Sequence, residues 1–84
     1  MDYHVSVNGI EFLMEEFYSN TRKMEKELKK NNKKDKAKQL NVYANRMQQI
    51  YYSAQHTDNK GLIVSYTKDL KLVYQNANKI YKEV

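Results

Sequence analysis

The hydrophobic residues of this chain recur at intervals of three and four, which is the period of an amphipathic helix. Three such stripes follow one another along the sequence. The first contains Ile10, Met14, Phe17, Thr21, Met24 and Leu28, the second Leu40, Ala44, Met47, Tyr51 and Ala54, and the third Ile63, Tyr66, Leu70, Val73, Ala77, Ile80 and Val84. The pattern predicts three helices, at positions 9–31, 36–56 and 62–83.

The segment before the first stripe has a different period. Residues 2–7 alternate between apolar and polar side chains, which is typical of a strand and predicts a short extended N-terminal arm. Asn8 can then cap the first helix, and Glu11 lies three residues further on, as in a capping box.

Polar segments predict the ends of the helices. The chain has no Pro and only two Gly, so breaks are scarce. Asn31 and Asn32 predict the end of the first helix, and Asp35 is the predicted cap of the second. The stripe changes phase across 56–61, where Gly61 is able to adopt a positive φ. The three helices must bury their stripes against each other or against a second protein, so we expect one all-α domain over 1–84, a small antiparallel bundle.

Charge is concentrated in one segment. The net charge is +5, and residues 29–38 contain six Lys and one Asp, which leaves nine basic and nine acidic residues elsewhere. A solvated interhelical loop is the favoured interpretation. The alternative is an anion patch made of Lys29, Lys30, Lys33, Lys34, Lys36 and Lys38. The third helix also carries Lys68, Lys71, Lys79 and Lys82, but Asp69 and Glu83 interrupt that charge, so nucleic-acid binding is the less favoured function.

The sequence offers little reactive chemistry. It has no Cys, and His4 and His56 lack partners at metal-ligand spacing. Neither a Gly-rich phosphate loop nor a nucleophile with a nearby base is recognisable. The string from Ser65 to Asp69 resembles the S-x-x-x-D signature of small helical-hairpin phosphatases of sporulation response regulators, but a solvated helix face is favoured. We therefore expect no catalytic residue, no cofactor and no metal, and a protein that is not an enzyme.

The apolar stripes point to a partner protein, with a homodimer as one option. The predicted partner-binding residues lie on or beside the stripes of the first and third helices, where Tyr is typical of an interface. They are Phe17, Met24, Tyr66, Leu70, Val73, Tyr74, Ile80 and Tyr81. No apolar run approaches the roughly 20 residues that span a bilayer, and no cleavable signal peptide is visible, so a cytoplasmic location is expected.

The chain resembles the small WXG100-like helical partners of type VII secretion effectors, the LXG-domain toxins of Gram-positive bacteria. The resemblance rests on an alternating opening at 3–8, a polar loop before the second helical half at 36–41, and a heptad-like stripe that ends near residue 84. Asn31-Asn32-Lys33 stands where that family has W-x-G. The resemblance implies a chaperone-like targeting factor that binds the helical N-terminal domain of a toxin and is exported with it.

A second likeness covers about half of the chain. Residues 45–54 and 57–60, with the helix that follows, resemble the later helices of class II bacteriocin immunity proteins. Those proteins are small basic antiparallel bundles of the cytoplasm, so this likeness implies an immunity protein as the alternative function. A small nucleic-acid-binding or phage regulatory protein is the other alternative.

Overall fold

A computed structural model describes the backbone of residues 2–83 and the side chains of residues 9–83. It contains three helices, α1 (Asp2–Lys30), α2 (Lys34–Gln55) and α3 (Lys60–Lys82), and no strand within residues 2–83. Each helix packs against both of the others, so the predicted all-α bundle is confirmed. The molecule measures 46 × 17 × 15 Å. Its long axis matches α1, because 29 residues at about 1.5 Å each span about 43 Å.

The helices run alternately up and down the long axis. Arg22 bonds to Asn41 and Tyr18 to Gln48, so residue numbers rise in α1 as they fall in α2. Asn20 bonds to Tyr74 and Glu27 to Tyr81, so α1 and α3 run in the same direction. Turns of only a few residues join the helices, which favours this antiparallel arrangement of neighbours.

The N-terminal segment differs from the prediction. Residues 2–8 continue α1 instead of forming an extended arm, and Asn8 therefore lies within a helix and not at its cap. A lone strand would leave its backbone N–H and C=O groups without partners, whereas a helix pairs them locally. The β-branched residues of this segment cost a helix only about 0.5 kcal/mol each, which is too little to prevent it. Val84, the last residue of the predicted third stripe, lies outside the described residues.

The turn between α1 and α2 is built on a left-handed asparagine. Asn32 has φ 62°, its N–H donates to the Lys29 carbonyl at 3.1 Å, and the N–H of Lys33 donates to the Leu28 carbonyl at 2.8 Å. These two bonds form a Schellman motif, which confirms that the first helix ends at Asn31 and Asn32. The cap of α2 is Lys33, without a side-chain bond, and not Asp35. Asp35 lies in the first turn, where its carboxylate faces the positive end of the helix dipole.

The turn between α2 and α3 uses Asn59 as the N-cap. Its side-chain oxygen accepts the N–H of Leu62 at 3.2 Å, and its own N–H donates to Thr57 Oγ1 at 3.2 Å. The break predicted at 56–61 is therefore present, but Gly61 lies in the first turn of α3 and its φ is not positive. A Cβ at Gly61 would lie 3.1 Å from Asn59 Oδ1, so glycine leaves room for the cap.

The stripes form a continuous core along the bundle. One buried cluster contains Ile10, Met14, Met47, Ala54, Leu70 and Val73, and the other contains Met24, Leu28, Ala37, Leu40 and Ala77. Thr21 is fully buried, and its hydroxyl donates to the Phe17 carbonyl at 2.7 Å, so this polar group is satisfied. Within residues 2–83 no helix is both long and apolar enough to cross a bilayer.

Candidate partner-binding surface

The eight residues predicted to bind a partner pack within the bundle. Leu70, Val73 and Met24 are at least nine-tenths buried, and the other five are half-buried against neighbouring helices. The ring of Phe17 stacks on that of Tyr74 with centroids 4.1 Å apart and planes 9° apart. The bundle packs most of these side chains against its own helices, so a surface that is free to receive a partner must be made largely of other residues.

Polar side chains bridge the groove between α1 and α2. Arg22 Nη1 donates to Glu25 Oε1 and to Asn41 Oδ1, both at 2.7 Å, and Arg22 Nε donates to Tyr18 Oη at 3.0 Å. Gln48 of α2 donates to the same hydroxyl at 3.1 Å. The bonds to Glu25 and Tyr18 raise the pKa of Arg22 above its ordinary value. This network occupies the surface where α1 and α2 meet.

Two tyrosines bridge the groove between α1 and α3. Asn20 Nδ2 donates to Tyr74 Oη at 3.1 Å, and Tyr81 Oη donates to Glu27 Oε2 at 2.6 Å. The bond to Glu27 raises the pKa of Tyr81, because deprotonation would place a phenolate beside a carboxylate. This groove is therefore also closed by paired polar groups.

The groove between α2 and α3 is different. Among the described side chains, no hydrogen bond joins α2 to α3; the nearest is at the end of the bundle, where Lys36 Nζ donates to the Glu83 carbonyl at 2.8 Å. The groove is lined by Tyr43, Arg46, Ile50, Asp69, Leu72, Val73 and Asn76. Its lining mixes apolar and polar side chains, with one basic and one acidic residue among them.

Exposed apolar side chains lie in this groove and within two turns of it. Leu72 is 57% exposed. Leu62, 44% exposed, lies two turns before Asp69 on the same face of α3, and Val42, 61% exposed, lies one turn before Arg46 on α2. Large apolar side chains exposed near one groove make it the candidate surface for a partner. We call the lining residues together with Leu62 and Val42 the α2–α3 groove.

The sequence contains a signal for this surface in apolar residues that lie outside the predicted stripes. Leu62, Leu72 and Val42 are apolar but fall outside the three-and-four spacing of their helices. A large apolar residue off the stripe of an amphipathic helix has no place in the core of its own bundle. The packing of α2 against α3 places Leu72 in the lining of one groove, and helical spacing places Leu62 and Val42 one or two turns from that lining.

The lysine block surrounds the α1–α2 turn. Lys30, Lys34 and Lys38 are exposed, and Lys29 lies 3.4 Å from Glu25. Lys33 caps α2, and Lys36 reaches the end of α3. The block therefore contains both structural lysines and freely solvated ones.

The described part of the chain contains no metal-binding cluster. Residues 9–83 bring together no group of three His, Asp or Glu side chains that could hold a metal ion. His56 stacks on Tyr52 with ring centroids 4.1 Å apart, and its Nδ1 lies 2.8 Å from the Tyr52 carbonyl. The side chain of His4 lies outside the described residues. Ser65 and Asp69 are both exposed on α3.

Comparison of the chain with known protein families, curated proteins and solved structures gives no match.

Proposed function

We propose that this protein is a non-enzymatic interaction module that binds an amphipathic helix of another protein in the α2–α3 groove. The observation that carries the proposal is the difference between the three grooves of the bundle. Side-chain hydrogen bonds bridge the other two grooves, whereas none is described across the α2–α3 groove, where Leu72 is exposed in the lining and Leu62 and Val42 are exposed within two turns of it.

A helix is the occupant that fits this groove. Two antiparallel helices present a straight channel about 33 Å long, because α2 and α3 have 22 and 23 residues. A partner helix laid in that channel would become the fourth helix of the bundle. It would cover the exposed apolar residues by the packing that holds a four-helix bundle together. Arg46 and Asp69, of opposite charge, can pair with an acid and a base on the partner and so fix its register.

The partner that we propose is the helical N-terminal domain of a secreted antibacterial toxin, as the resemblance to type VII secretion partners implies. In that role the bundle would keep the apolar face of the toxin helix out of water until export. A bacteriocin immunity protein, the alternative function, would use the same groove on a different target.

The test is co-expression of this chain with the helical N-terminal domain of an LXG toxin from the same organism. We expect a 1:1 complex with the unchanged chain, and Leu72→Lys should weaken it at least tenfold, which is about 1.4 kcal/mol. The reason is that the lysine ammonium would have to be buried under the partner helix. Isothermal titration calorimetry on the purified components gives the affinity.

The matched control is Phe12→Lys. Phe12 is 67% exposed on α1, away from the groove, and the substitution adds the same charge. It should leave the affinity within about twofold. No complex with the unchanged chain, or equal weakening by both variants, would contradict the proposal. A dimer of the free chain that Leu72→Lys dissociates would instead assign the groove to a second copy.

A further inference from the structure

The outer face of α3 carries a row of lysines. Lys60, Lys68, Lys71, Lys79 and Lys82 are all exposed. At about 100° per residue they fall within an arc of about 100° around the helix axis. We call this surface the α3 lysine face. It extends over about 33 Å, the rise of 22 residues.

The acids of α3 lie outside this arc. Asp69 points into the α2–α3 groove beside Arg46, and Glu83 follows the last turn, at the edge of the face. Counted along the sequence, these two acids interrupt the lysines; in the structure the face between its ends is free of acids. Among the described residues, only Arg22 and Lys29 form ion pairs, so the five lysines keep their charge available.

The tertiary structure adds the lysine block to one end of this face. The bond from Lys36 to the Glu83 carbonyl places the start of α2 beside the end of α3. The start of α2 and the end of α3, 47 positions apart at this contact, therefore border each other.

We infer that the α3 lysine face binds the phosphate backbone of double-stranded nucleic acid. Its length is close to one turn of B-form DNA, about 34 Å. Phosphate binding by lysine needs charge and no apolar or aromatic group. The face fits that requirement, because Val64 is its only large apolar side chain and it contains no aromatic residue.

Other anionic partners need side chains that this face lacks. A protein interface is depleted of lysine at its centre and enriched in apolar and aromatic residues. An interfacial membrane helix buries bulky residues such as Leu, Phe or Trp. Single-stranded nucleic acid stacks its bases on aromatic side chains.

The test is fluorescence anisotropy with a labelled 20-base-pair duplex, using the whole chain at several salt concentrations. If all five lysines contact phosphates, log K should fall against log salt with a slope of about −4.5, so that affinity drops roughly 500-fold from 50 to 200 mM salt. A duplex of unrelated sequence should bind equally well. Lys68→Gln with Lys71→Gln should weaken binding at least about tenfold at 50 mM salt and reduce the slope by about 2.

The matched control is Lys23→Gln with Lys26→Gln, which removes two exposed lysines from α1 and leaves the same net charge. It should weaken binding less than threefold. Equal losses in the two double variants, or no duplex binding at 50 mM salt, would overturn the inference.

Three further probes separate duplex binding from general attraction to anions. The inference fails if polyglutamate, single-stranded DNA or phosphatidylserine vesicles bind as tightly as the duplex. Leu72→Lys should not weaken duplex binding, because it removes no lysine of the face, whereas it should weaken binding of the partner helix, so this inference and the proposed partner helix can fail independently.

Discussion

Two leucines of α3 show how position on a helix decides the role of a residue. Leu70 and Leu72 are two positions apart, which turns their side chains about 160° away from each other. Leu70 is fully buried in the core, whereas Leu72 is 57% exposed in the α2–α3 groove. The same side chain therefore stabilises the fold at one position and is available to a partner at the other.

Leu70→Ala should destabilise the protein by about 3 kcal/mol, because it removes buried methyl groups and leaves a cavity. A chain of 84 residues has a total stability of about 4–13 kcal/mol, so this is a large fraction of it. Leu70→Lys should prevent folding outright, since it buries a charge. Urea unfolding followed by circular dichroism measures these changes.

The matched control at this scale is Leu72→Ala, which should change the free energy of unfolding by less than about 0.5 kcal/mol. Lys33→Ala should have a similarly small effect, because Lys33 caps α2 and joins the Schellman motif through its backbone. If Leu72→Ala costs as much as Leu70→Ala, the assignment of the two faces of α3 is wrong.

At the scale of the elements, asparagine side chains and backbone make both turns. Asn32 supplies the left-handed residue that ends α1, and Asn59 supplies the cap that begins α3. The sequence predicted both breaks, because helix-breaking residues act locally. It gave the wrong role to Gly61 and to Asp35, since several neighbouring residues were suited to each cap and only the backbone shows which one is used.

The closeness of Asn59 and Gly61 predicts a coupling between them. Asn59→Ala should cost about 1 kcal/mol of stability through loss of the cap. Gly61→Ala should gain about 1 kcal/mol in the Asn59→Ala variant, as alanine normally does in a helix, but much less in the unchanged chain. In the unchanged chain the new Cβ would lie 3.1 Å from Asn59 Oδ1 and displace the cap.

A double-mutant cycle with urea unfolding tests this coupling. Gly9→Ala is the matched control, because a Cβ at Gly9 meets no atom within 4 Å and should stabilise α1 in either background. Equal effects of Gly61→Ala with and without Asn59 would show that the glycine does not protect the cap.

At the scale of the whole molecule, contacts between distant residues distinguish the three grooves. The bond from Tyr81 to Glu27 joins residues 54 positions apart and closes the end of the α1–α3 groove. The neutral phenol donates this bond, and a raised pKa of Tyr81 means that folding stabilises the neutral form.

The pH dependence of stability follows from the direction of this change in the pKa of Tyr81. The contribution of Tyr81 is fully present below pH 10.0, the ordinary pKa of tyrosine, and is lost as the pH rises through the raised pKa of the folded state. Tyr81→Phe should therefore lower stability at pH 8, and its difference from the unchanged chain should shrink at higher pH. In a pH titration followed by absorbance at 295 nm, Tyr81→Phe should show one tyrosine of raised pKa fewer than the unchanged chain.

Tyr51 provides an internal reference for this titration. Burial raises its pKa, with the carboxylates of Glu11 and Glu15 adding to the effect, and Tyr81→Phe should leave its titration unchanged. If the tyrosine lost in Tyr81→Phe titrates in the ordinary range, the bond to Glu27 does not hold in solution.

The sequence by itself determined the three helices, most of the core and the approximate position of both turns. Helical periodicity and turn residues act over a few positions, and a pattern of local spacings records them directly. Ile10, Leu40, Leu70 and the rest of the buried residues came almost entirely from the predicted stripes. Residues 2–8 were the exception, because alternation alone cannot supply the partner strand that an extended segment needs.

Only the tertiary structure decided which surfaces remained free. The stripes could have been completed by a partner, but the three helices pack on one another, so the predicted partner-binding residues are buried or half-buried within the bundle. The rotation of α3 about its own axis then placed Asp69 in a groove and five lysines on an open face. Burial and charge pairing depend on distances between residues that are far apart in the chain, and those distances exist only after the helices have packed.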